Sequence, residues 1–124
     1  MKLNEISAIL IWSENYQKLA SWYQRMLGLS TIEEINHPKD TGIGLAVGNS
    51  YLWIGRHPKV KGKNKDPFRI MINMNVDHVQ EAYETLKKRG VHFIAEPFKA
   101  PTFNSYFATF EDLDGNIVQL IGML

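Results

Sequence analysis

The chain contains no cysteine, which excludes disulfides, zinc-thiolate centres and a cysteine nucleophile together. It has no apolar run long enough to span a bilayer. The longest largely apolar stretch, Ile6 to Trp12, lies between Glu5 and Ser13-Glu14-Asn15 with no small-residue cleavage site beside it. Neither sign of charge is in excess, since 14 Lys and Arg against 13 Asp and Glu leave a net +1, too little for the basic face that nucleic acid requires. Nor is the composition that of a disordered chain, with 44% hydrophobic and 22% charged residues. These absences predict a folded cytoplasmic protein with no membrane or nucleic-acid partner. Its 124 residues suffice for one compact core, or for two small modules that share one.

What is present is a pattern that occurs twice. Residues 5–12, dense in β-branched and aromatic side chains, predict a strand buried on both faces. Tyr16, Leu19, Ala20, Tyr23, Met26 and Leu27 then recur with helical spacing, with Asn15 placed to cap the helix and Gly28 to end it. Strands are expected over 29–35, 42–47 and 51–56, with a loop through His37-Pro38-Lys39-Asp40 and a turn at Gly48-Asn49-Ser50. A connector over 58–67 carries two prolines, a glycine and four lysines, and reads as a solvated linker. The pattern then restarts. Phe68 to Val76 predicts a strand, and Asp77 a cap for a helix with the stripe Val79, Ala82, Tyr83 and Leu86, ended by Gly90. Strands follow over 91–96 and 105–110. Asn15 to Gly28 and Asp77 to Gly90 are equally spaced, which marks a duplication.

The last strand follows Glu111-Asp112-Leu113-Asp114-Gly115-Asn116, where an Asp-Gly pair followed by Asn is expected to supply the positive-φ residues of a tight hairpin turn. The fold class is therefore α+β: two βαβββ modules in tandem, 1–57 and 68–124, in a single domain. Neither module covers its sheet with one helix, so the curved mixed sheets are expected to enclose a central cavity, within the chain or across a dimer. A ferredoxin-like α+β dimer is the simpler alternative. Three strands after each helix argue against it.

Three stretches together resemble a known family: Trp22-Tyr23-Gln24-Arg25-Met26-Leu27-Gly28-Leu29, Val76-Asp77 at the second helix, and Glu111-Asp112-Leu113-Asp114-Gly115-Asn116 before the final strand. In that order, across essentially the whole chain, they resemble the glyoxalase/bleomycin resistance/dioxygenase (vicinal oxygen chelate) superfamily. The resemblance implies paired βαβββ modules and commonly a homodimer. It also implies a divalent metal held by His or Glu side chains at four positions, which fall here on Ala8, Trp53, Met71 and Gln119. Alanine and tryptophan donate no ligand, methionine offers only a soft thioether, and glutamine one neutral oxygen. Shifting any strand by one residue brings no His or carboxylate to these positions. No cofactor is therefore expected.

If those four positions face the cavity, strand alternation brings Leu10, Trp12, Tyr51, His57, Arg69, Asn73, Ile117 and Ile121 to the same side. Ile9, Ile11, Leu52, Ile54, Ile70 and Ile72 would then lie under the helices. Trp12, Tyr51 and Trp53 offer stacking surfaces, Arg69 a fork for an anion, and Asn73 and Gln119 hydrogen bonds to a carbonyl. This is the makeup of a small-molecule site. His37, His57, His78 and His92 do not cluster by spacing, and His57 and Arg69 are the two candidates for acid, base or electrophile. The preferred reading is a metal-independent protein that binds a small aromatic or conjugated molecule. The alternatives are a lyase, isomerase or dioxygenase, with atypical metal ligands or metal-free, and a member whose filled cavity serves protein interaction.

Overall fold

Asn15 begins the first helix as its sequence position predicts, its Oδ1 accepting the Lys18 N–H at 3.3 Å. The helix, α1 (Tyr16–Leu27), ends at Gly28 with φ 67°, a left-handed conformation that glycine adopts without a Cβ penalty. In the computed structural model, which describes residues 1–124, the chain divides into two units, Met1–Gly62 and Lys63–Leu124. The first unit contains β1 (Ile9–Ser13), α1, β2 (Ser30–His37), β3 (Asp40–Val47) and β4 (Ser50–Arg56). Its sheet runs β1-β4-β3-β2, with β1 parallel to β4 and the other neighbours antiparallel. The second unit contains β5 (Ile72–His78), α2 (Val79–Lys88), β6 (His92–Lys99), β7 (Tyr106–Glu111) and β8 (Ile117–Met123), with sheet order β5-β8-β7-β6. Each unit is thus one βαβββ module of the same topology. No helix is long and apolar enough to cross a membrane.

In the first unit, one sheet face carries Ile11, Ile43, Leu45, Leu52 and Ile54, all buried, and α1 covers it with Leu19, Ala20, Trp22 and Tyr23. In the second, Phe110, Val118 and Leu120 are buried with Val79 and Leu86 of α2. Tyr83 meets Phe93 edge-on with centroids 4.7 Å apart, and Phe93 meets Phe110 at 5.3 Å. Aromatic pairs in such arrangements stabilise by about 0.5–1.5 kcal/mol beyond the area they bury.

Several element ends differ from the sequence-based expectation, and partner strands explain most of them. The first strand begins at Ile9 rather than at residue 5, because Ile9 pairs with Leu52 and its partner strand begins only at Ser50. It is not buried on both faces: Ile9 and Leu10 at its start are exposed. Likewise β5 starts at Ile72, opposite Val118, rather than at Phe68. Residues 68–71 instead follow a turn in which the Arg69 N–H donates to the Asp66 carbonyl at 3.3 Å. Ile70 is therefore exposed rather than under a helix. The strand also runs past Asp77, through an irregularity, to pair His78 with Met123, so His78 occupies the N-cap of α2 without a side-chain cap. Pro97 lies within β6, an edge strand, where the pairing is irregular between Ala95 and Phe98 and a missing N–H is tolerated.

The final hairpin turn is organised by Asp112 rather than by a run of positive-φ residues. Gly115 alone has positive φ there, at 81°. Asp112 is 4% exposed. Its Oδ1 accepts the N–H groups of Asp114 and Asn116 at 2.8 and 2.9 Å, and its Oδ2 accepts Asn116 Nδ2 at 2.9 Å.

Candidate functional site

The face of the first sheet turned away from α1 is floored by glycine. Cross-strand pairing sets Gly42 opposite Gly55, Gly44 opposite Trp53, and Gly55 opposite Trp12. With no Cβ in the way, two aromatic rings lie along the sheet. A Cβ at Gly44 would overlap Tyr51 Oη and stand 2.6 Å from its Cζ. A Cβ at Gly42 would stand 2.5 Å from Trp53 Cζ2, and one at Gly55 would overlap Trp53 Nε1 and stand 2.9 Å from Trp12 Cζ3. Close approach of this kind is what a strand glycine permits. Trp53 is buried, whereas Trp12 and Tyr51 are half-buried.

Tyr51 starts on β4, crosses Gly44 of β3 and ends on β2, where its Oη donates to Glu33 Oε2 at 2.7 Å. Burial first, then this bond and the charges of Glu33 and Asp40, push its phenol up to about 12. At the other end of the row, the Trp12 and His57 rings meet edge-on with centroids 5.4 Å apart. His57 Nδ1 accepts the Lys59 N–H at 3.1 Å, so the neutral ring carries its proton on Nε2.

His57 also borders a cleft of about 470 Å³ formed by the Pro38–Thr41 turn, Glu14, Arg56 and the segment from Pro58 to Lys61. That segment is solvated, as expected of a linker, with Pro58, Lys59 and residues 61–66 exposed. Its first part is also held in place: Val60 N–H donates to the His57 carbonyl at 3.0 Å, and Gly62 N–H to Glu14 Oε1 at 3.1 Å.

On the second sheet, Asn73, Gln119 and Thr109 stand in one row across β5, β8 and β7. Gln119 Nε2 donates to Thr109 Oγ1 at 3.1 Å, which gives the half-buried amide its partner and leaves its carbonyl oxygen as an acceptor. Beside this row Phe107 contacts Phe98 and Phe103, with centroids 5.6 and 5.8 Å away. Arg69 lies outside the ladder, its Nε on Asp66 Oδ2 at 2.6 Å. Ala8 and Met71 each sit one residue before a strand begins. Nowhere do three or more His, Asp or Glu side chains gather so that they could hold a metal ion.

Of the residues singled out from sequence, the first unit thus brings Trp12, Tyr51, Trp53 and His57 to one face, and the second sets Asn73 beside Gln119. Sequence reasoning missed Glu33, the three glycines, Thr109 and the phenylalanine cluster. The Gly42-x-Gly44 spacing, two glycines on one face of a strand, was the available signal.

A Bacillus subtilis (strain 168) protein, the uncharacterized protein YetH, is 22% identical over 119 residues, covering 95% of this chain and 98% of YetH. Among solved structures, that of SMU.1112c superposes with a TM-score of 0.83 at 21% identity, covering 97% of this chain and 99% of that one. The glyoxalase family protein from Enterococcus faecalis gives a TM-score of 0.80 at 22% identity, covering 98% and 99%. At such identities the likeness shows the fold. The sequence model of one family matches residues 5–120, and the chain belongs to that family, the Glyoxalase/Bleomycin resistance protein/Dioxygenase superfamily.

Proposed function

We propose that this protein binds a small aromatic or conjugated molecule without a divalent metal, on the face formed by Trp12, Tyr51 and Trp53. The observation that carries this reading is the glycine floor. Three glycines in the middle of paired strands weaken a sheet by about 0.5–1 kcal/mol each relative to alanine, and what they obtain here is room for flat rings at the sheet surface. A flat ligand gains most from such a surface, because ring stacking adds to apolar burial. The donor set supports the absence of a metal. Ala8, Trp53 and Met71 bring no oxygen or imidazole, Gln119 brings one neutral oxygen, and no cluster of His, Asp or Glu stands in for them. These residues do not fit a divalent ion.

The test is a fluorescence titration of flat conjugated compounds, read through tryptophan, on wild type and Trp12→Ala, together with metal analysis of untagged protein by mass spectrometry. Saturable quenching is expected, weakened about tenfold by Trp12→Ala, the order of a lost stacking contact. Near-stoichiometric tightly held metal, or binding indifferent to Trp12, would sink this reading.

A further inference from the structure

We propose that the ligand of the Trp12–Tyr51–Trp53 face is cationic, an aromatic or conjugated amine whose positive charge sits beside Glu33. This rests on the binding reading above and adds the sign of the ligand's charge. The whole chain is near neutral, at +1, and Asp40 shares its cleft with Lys39, Arg56 and Lys61, so Glu33 is the carboxylate that gives this face its sign. Among the residues that alternation and pairing bring to it, Glu33 stands opposite Gly44 and Asp40 begins the strand that carries Gly42 and Gly44. Ion pairs join Lys61 to Glu14, Arg69 to Asp66 and His92 to Glu111, and neither Glu33 nor Asp40 takes part in them. The one side-chain partner of Glu33 is the Tyr51 hydroxyl, a neutral donor that orients the carboxylate and leaves its charge in place.

The Tyr51 phenol reports that charge. After burial, every influence that raises it comes from a carboxylate, through the Glu33 hydrogen bond and the charges of Glu33 and Asp40. Burial, the largest cause, opposes a charge of either sign, and it is the carboxylate share of the shift, together with the position of Glu33 at the ring, that favours a cation. Ring faces act in the same direction, since tryptophan and tyrosine present negative π-faces to a cation. An anionic ligand would meet both terms with the opposite sign.

The experiment compares three tricyclic probes of one shape: cationic 9-aminoacridine, neutral 9-anthracenemethanol and anionic 9-anthracenecarboxylate. Each is titrated into wild type, Glu33→Gln and Trp12→Ala at neutral pH. The expected order is cation over neutral over anion, with the cation at least tenfold tighter than the anion. Glu33→Gln, on an exposed strand position, is expected to weaken the cation about fivefold relative to the neutral probe and to strengthen the anion relative to it. Asp40→Asn is expected to act in the same direction, more weakly. Neutral and cationic probes binding alike, with Glu33→Gln indifferent to charge, would overturn the charge assignment and leave the aromatic site standing. If no probe binds, or if all bind independently of Trp12, the binding reading itself fails and this proposal with it.

Discussion

Substituting Gly44 and Gly42 separately tests whether the rings rest on the glycines. In Gly44→Ala the three atoms nearest the new Cβ all belong to the far end of Tyr51: Oη, Cζ at 2.6 Å and Cε2 at 2.8 Å. A side chain can rotate away, so the ladder stays and the ring leaves. The Tyr51–Glu33 bond is then lost, a cost of about 0.5–1.5 kcal/mol. Replacing a strand glycine by alanine returns about 0.5–1 kcal/mol. The two nearly cancel, and global stability changes by less than about 1 kcal/mol. In Gly42→Ala the Cβ meets the Ile54 carbonyl oxygen at 2.6 Å and Gly55 Cα at 2.8 Å as well as the Trp53 ring. Paired backbone does not rotate away, and overpacking of this kind costs about 1–3 kcal/mol.

Urea unfolding should therefore place Gly42→Ala at least about 1 kcal/mol below Gly44→Ala. The more telling readout is local. Tyrosine labelled with 13C at Cζ allows each phenol to be titrated by NMR, and Tyr51 is identified by its absence in Tyr51→Phe. In wild type its midpoint is expected to be pushed up to about 12, and in Gly44→Ala to fall toward the ordinary 10.0, since burial and the Glu33 bond are both removed. A midpoint that stays near 12, with the two variants equally destabilised, would show that the ring does not lie on Gly44.

Alkaline pH probes the same phenol through stability. Its proton is held more tightly in the folded state, so its contribution is fully present below pH 10 and disappears as pH rises through about 12. Wild type should lose stability across that window more steeply than Tyr51→Phe in denaturant midpoints, and equal slopes would count against the linkage. Asp112→Ala removes the acceptor of two backbone N–H groups and of Asn116 Nδ2 from a buried turn, and should cost about 2–4 kcal/mol by thermal unfolding. A cost below about 1 kcal/mol would mean that water or Asn116 replaces it. Gly122→Ala drives a Cβ onto the Val76 carbonyl oxygen, where β5 and β8 lose register. The expected penalty is about 1–3 kcal/mol, read as a lowered thermal midpoint.

The elements that could be read from sequence are those whose signals are local. Asn15 and Gly28 bound α1 because a cap and a left-handed residue act within one turn of chain. Strand ends depend instead on where the partner strand turns, as Leu52 does for Ile9 and Val118 for Ile72. No pattern within residues 5–8 or 68–71 contains that information. Asp77 has the chemistry of a cap, yet the ladder holds it in the strand while pairing continues to Met123. The tertiary contact overrides the local preference.

The site was hidden for a related reason. Strand alternation puts Thr31 and Glu33 on one side, and Thr31 pairs with Leu45 on the face that α1 covers. By alternation alone Glu33 would lie under the helix and Ile32 on the aromatic face. The register shift between Thr31 and Glu33 places Glu33 opposite Gly44. One extra residue in an edge strand thus carries a carboxylate from one side of the sheet to the other, a re-aiming that bulges perform in many sheets. The glycines then decide what that carboxylate meets: a Cβ at position 44 would hold the Tyr51 ring off the sheet and its hydroxyl away from Glu33. Bulge and floor are each unremarkable as sequence. Their conjunction in the folded sheet puts a carboxylate at the Tyr51 end of a row of three aromatic rings.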